Sequence, residues 1–225
     1  GATVPMNWNK SYNLQGNLAY RISSEMRLKY EIVTDHAESP SGSGNSSVFS
    51  ARYKPDGRAM NKSTSYFHSL VWTHSMGSSS FYTLKLSYIN DAGTTRTFDD
   101  YNDKSYLPSF YLRALGNTSF LTGGVDLSRF SRRTETISGK FDLVAQMFNV
   151  HELKFGLEVR KHDLSVESYT LQFRDPAFPD VDASSTNFFS GLYNFKPYVP
   201  TVVGGYINYT KHPLQMSGYV QDKIE

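Results

Sequence analysis

The stretch "SYNLQGNLAYRISSEMRLKYEIVT", residues 11–34, decides the fold. Every second residue from Tyr12 runs Tyr12, Leu14, Gly16, Leu18, Tyr20, Ile22, against Asn13, Gln15, Asn17, Ala19 and Arg21. After Ser23, Ser24 and Glu25 the alternation resumes, with Met26, Leu28, Tyr30 and Ile32 against Arg27, Lys29, Glu31 and Val33. Successive side chains of a strand point to opposite faces, so this period predicts two strands joined by a tight turn. Each strand has one greasy and one wet face. The fold then turns on whether the greasy face packs against protein or lipid.

Composition narrows the choice. Tyr and Phe are abundant, at 16 and 15 of 225 residues, and sit among Gly, Ser, Thr and Asn. No capped 3.6-residue apolar stripe occurs, so an all-β fold is expected. Mean hydropathy is −0.46, and no run reaches the roughly 18 apolar residues of a membrane helix. The 23 basic and 21 acidic residues are interspersed for a net charge of +2, which argues against a nucleic-acid partner. Cysteine is absent, excluding disulfides, thiolate metal sites and cysteine nucleophiles. "GATVPMNWNK" lacks the apolar centre of a signal peptide, so a trimmed or internal piece is expected.

The same alternation recurs in "YFHSLVWTH" (66–74), "FYTLKLSYIN" (81–90), "TISGKFDLV" (136–144), "LKFGLEVRK" (153–161) and "LQMSGYVQDKIE" (214–225). The connections alternate short and long. "SMGSSS" and "AQMFNVHE" are short, whereas about 35–65, 91–133 and 162–213 are long and polar. Loops beyond about 12–15 residues are uncommon in compact domains. Short turns at one end and long loops at the other are built into outer-membrane barrels.

Aromatic placement points the same way. Tyr12 and Tyr20 bracket the first apolar face, about 26 Å apart along the strand. With a tilt near 40° that is about 20 Å of depth, close to the apolar band and aromatic girdles of a membrane barrel. Tyr82 and Tyr88 bracket Leu84 and Leu86 likewise. An antiparallel transmembrane β-barrel segment of about seven strands is therefore expected. Bacterial barrels close with even strand numbers from eight upward, so residues 1–225 read as an incomplete part of one barrel domain. Alternation alone leaves a second reading open, a secreted or cell-surface β-sandwich binding glycans through aromatic loops.

"FYTLKLSYIN", "ISGKFDLVAQMFNVHELKFGLEVRKHDL" and "MSGYVQDKIE" resemble the barrel of TonB-dependent outer-membrane receptors. The likeness is to the long-looped type with an N-terminal carboxypeptidase-regulatory-like domain, and it spans about residues 11–34, 66–90 and 134–225. It implies a barrel of about 22 strands in the bacterial outer membrane, occluded by a plug. The implied activity is import of siderophores, cobalamin, glycans or peptides, energised by the TonB complex. The implied partners are lipid, a small-molecule or oligomeric ligand, and TonB acting through a plug not contained in this chain.

With the apolar residues in lipid, Arg21, Arg27, Lys29, Glu31, Lys85, Lys140, Asp142, Lys154, Glu158 and Arg160 would line the lumen. There they would solvate the interior, contact the plug, or guide an anionic ligand. The loop aromatics Phe110, Tyr111, Phe188, Phe189, Tyr193, Phe195 and Tyr198 are candidates either for stacking on ligand rings or for packing the loops together. Asp99, Asp100, Asn102 and Asp103 form an oxygen-rich loop with weak calcium character, lacking the glycine and distal glutamate of an EF-hand. Of the six histidines, His68 and His74 on one face, and His151 and His162 bracketing a strand, stand too far apart to share an ion, and the set reads as boundary or loop residues. Neither a G-x-S-x-G elbow, an H-E-x-x-H pair nor a phosphate-binding P-loop occurs, so neither an enzyme nor a cofactor is expected.

Overall fold

The computed structural model describes residues 6–42, 51–107, 124–147, 150–182, 195–201 and 205–224. They form an antiparallel all-β meander of β1 (Lys10–Arg21), β2 (Met26–Pro40), β3 (Met60–Ser75), β4 (Ser80–Arg96), β5 (Ser128–Met147) and β6 (His151–Thr170). Each strand pairs with the next in the chain. A three-stranded sheet follows, β7 (Gln172–Asp175), β8 (Phe178–Asp182) and β9 (Lys196–Tyr198), with β7 in the middle. The chain then returns to the large sheet as β10 (Tyr206–Lys211) and β11 (Leu214–Ile224), both laid along β6.

β10 and β11 act as one strand interrupted at Pro213. Lys211 faces Leu164 and Leu214 faces Lys161, and the His162 amide donates to the Pro213 carbonyl at 2.9 Å. Proline has no amide to donate, which suits the unpaired side of an edge strand. The expected number of about seven strands thus describes the large sheet. Among the described residues that sheet does not close: β1 pairs only with β2, and β10 and β11 pair only with β6.

The long strands overrun the expected connections. β2 continues through "DHAESP" and β3 begins at Met60, so the first long connection narrows from 35–65 to 41–59. The second narrows to 97–127, between β4 and β5. The third contains β7 to β10 rather than loop alone. The turn ends hold their expected positions. The amides of Ile22 and Ser23 both donate to the Met26 carbonyl, at 2.9 and 3.3 Å. Gly77 takes φ 76° in the β3–β4 turn, a left-handed conformation open to glycine at little cost.

Register builds two opposed faces. Residues opposite one another in an antiparallel ladder share a face, which gives Leu18, Tyr30, Leu70, Leu86, Gly139, Val159 and Met216 to one side. Among the described residues nothing covers that side, with Leu18 69% and Val220 77% exposed. The main buried apolar cluster lies instead at the long-loop end, where Tyr106, Val125, Leu127, Leu171 and Phe173 pack with Phe98, Tyr169 and Phe195.

Candidate functional site

All ten charged residues expected to line a lumen share the face opposite the apolar band. One ladder row crosses the sheet as Lys29, Val71, Lys85, Lys140 and Glu158. Side chains two apart on a strand lie on the same face, and they pair locally: Lys29 with Glu31, Lys140 with Asp142 at 2.9 Å, and Arg160 with Glu158 at 2.6 Å. Lys154 pairs with Glu152 at 2.7 Å. Such solvent-open pairs are worth about 0–1 kcal/mol each, so they make a hydrophilic wall rather than hold the sheet together. Arg21 faces Arg27 and Lys85 faces Lys140 across their ladders, leaving the wall with a positive bias.

On this wall the Tyr219 ring lies over Gly156 and its hydroxyl donates to Asp142 at 3.0 Å, one strand further on. A Cβ at position 156 would sit 2.1 Å from Tyr219 Cε1. Gly156→Val is therefore expected to expel the ring, break the bond to Asp142 and lower stability by about 1–2 kcal/mol. Urea unfolding of the variant beside the parent chain checks this. Added to Tyr219→Ala, the valine should cost little more, because both changes remove one contact.

The opposite face carries rows of tyrosine and histidine at its margins. Towards the long loops, Tyr12 stacks on His36 with centroids 6.3 Å apart. The Tyr30 hydroxyl lies 2.7 Å from His68 Nδ1, and the Tyr88 hydroxyl donates to Glu135 at 3.0 Å. At the turn end His74 meets the Tyr82 hydroxyl at 3.2 Å, and His151 bonds Asp222 at 2.9 Å. The six histidines are thus separately partnered: His162 bonds Thr136 at 2.8 Å and His212 bonds Asp163. Between the margins the face is Leu, Ile, Phe, Val, Met and Gly, with Trp72 among them, its indole Nε1 shielded and without a hydrogen bond.

The acidic loop is engaged in its own turns. Asp99 accepts from Arg96 Nε at 2.8 Å, Asp100 from the Asn102 amide at 2.9 Å and Asp103 from the Ser105 amide at 2.8 Å. The amide and hydroxyl of Ser105 hold the Asp103 carboxyl below the usual carboxylate range. Among the described residues these carboxylates do not converge into a metal-binding group.

Arg129 organises the cap above. Its buried guanidinium donates to the Phe98 carbonyl at 2.7 Å, the Asp99 carbonyl at 2.7 Å and the Tyr106 hydroxyl at 2.9 Å. Phe110, Tyr111, Phe188, Phe189 and Tyr193 lie outside the described residues. The two remaining aromatic candidates divide. Phe195 packs against the buried cluster, while Tyr198 lines an open cavity of about 350 Å³ with Arg174, Pro176, Lys196 and Pro197. Arg174 lies 4.6 Å over the Tyr198 ring, and the Tyr198 hydroxyl donates to Gln172 at 2.7 Å. The segments "RDP" and "KPY" that build this cavity carried no motif; only their β7–β9 pairing, Arg174 opposite Lys196, brings them together. No family model, curated protein or solved structure matched this chain.

Proposed function

We propose that the large sheet is part of the wall of an outer-membrane β-barrel receptor. Its apolar face lies in lipid, its charged face lines the interior, and its cap is turned outward for ligand capture. The observation that carries this reading is the division of the sheet itself. One face is a bare apolar band with Tyr and His at its margins, while the other holds the ten charged residues. A soluble sandwich covers its apolar face with a second sheet about 10 Å away; no described element covers this one. Unpaired strand edges are not tolerated in lipid, so β1 and β10–β11 each take a neighbouring strand in the complete wall. Under this reading the receptor imports a small-molecule or oligomeric ligand, energised by the TonB complex through a plug.

Trp72 supplies the test. In a Trp8→Phe variant reconstituted into vesicles, Trp72 is expected to be strongly quenched by lipids brominated along the acyl chains. A chain that stays dispersed without detergent and shows no such quenching would instead be a soluble sandwich.

A further inference from the structure

The geometry points to the Arg174–Lys196–Tyr198 cavity as a binding site for a six-membered ring bearing a carboxylate. This deepens the proposed function by naming the ligand chemistry of the cap, and it rests on that reading for its role in uptake.

The site is built from below. β7 alternates, and its inward side chain Phe173 is buried in the cap cluster beside Leu171, which is only 2% exposed. The intervening residues Gln172 and Arg174 are consequently held on the outer side. Asp175 is buried and caps the following turn by accepting from the Ala177 amide at 2.8 Å. β9 sets Tyr198 opposite Gln172 and Lys196 opposite Arg174. Two cations therefore stand together at the ladder.

The chemistry follows from these side chains. Tyr198 is fixed at its hydroxyl by Gln172 and carries the Arg174 plane on its ring, so the guanidinium is oriented before any ligand arrives. A guanidinium supported on one face keeps its N–H edge for bidentate donation to a carboxylate, and the neighbouring ammonium adds a second donor. Pro176 and Pro197 give the cavity stiff hydrocarbon walls suited to the C–H face of a sugar or the face of an arene. A volume of about 350 Å³ accommodates one such ring with its carboxylate. A small preformed apolar wall with a few fixed polar groups is the usual make-up of a ligand site.

The test is titration calorimetry of the full chain in detergent micelles with galacturonate, benzoate and, as the neutral counterpart, galactose. Galacturonate or benzoate should bind with a roughly millimolar or tighter constant while galactose does not; whichever acid is stronger identifies the ring as sugar or arene. Arg174→Gln and Lys196→Gln should each weaken the acid about tenfold, and Arg174→Lys should fall between Arg174→Gln and the parent. Circular dichroism of each variant should match the parent. Equal binding of galactose, indifference to both substitutions, or no binding of either acid would overturn the assignment. These readouts need no vesicle, so they fail separately from the Trp72 measurement that tests the membrane reading.

Discussion

Leu86→Arg is expected to lower the stability of the lipid-folded protein by about 2–4 kcal/mol, the usual cost of a cation at the middle of a barrel's lipid face. Leu86 sits in the centre of β4, between Leu70 and Gly139 on the apolar side, and is 51% exposed. Its side chain meets lipid rather than protein under the proposed reading, so the loss comes from solvation and not from a cavity. Thr83→Arg is the control. Thr83 lies on the same strand, on the charged face opposite Asp142, and arginine there should shift stability by less than about 0.5 kcal/mol. Urea midpoints of the vesicle-folded variants measure both. If the two substitutions cost the same, the faces are not divided between lipid and water.

Arg129→Met should produce the other large effect, confined to the cap. The substitution removes the donor to the Phe98 and Asp99 carbonyls and the Tyr106 hydroxyl. A buried acceptor left without its partner costs about 1–3 kcal/mol. Some of those groups regain water as the loop loosens, so a total near 3 kcal/mol is expected. Hydrogen exchange and limited proteolysis should report opening of residues 97–107 and 124–127. Exchange in β1 and β2, whose residues are not members of this cluster, should stay unchanged. Uniform acceleration through all strands would mean that the cap and sheet unfold as one unit.

The two faces were legible in the sequence because a period of two assigns every residue to a side. Lys29, Lys85, Lys140 and Glu158 were placed together by that arithmetic, and the ladders put them in one row. The outer halves of the strands were not legible. "DHAESP" in β2 and "MNKSTS" in β3 are polar at nearly every position, so no apolar alternation marks them, and backbone pairing with neighbours carries them. The cap cluster was equally hidden. Tyr106, Val125 and Leu127 come from the second long connection and Leu171 and Phe173 from the third, and no periodicity within either stretch shows that the two meet. Gly156 and Tyr219 are 63 residues apart, and their fit depends on a register that spacing within either strand cannot reveal.

The length of β6 has an electrostatic consequence. The strand stays paired from His151 to Thr170, while its apolar alternation ends near Val159. Eleven further residues at about 3.3 Å each, tilted near 40°, raise the cap roughly 28 Å beyond that point. Charge on a membrane surface is screened within about 8 Å at physiological salt. Under the proposed reading, an acid approaching Arg174 and Lys196 would therefore meet the local field of those two cations, shielded from the repulsion of an anionic membrane below.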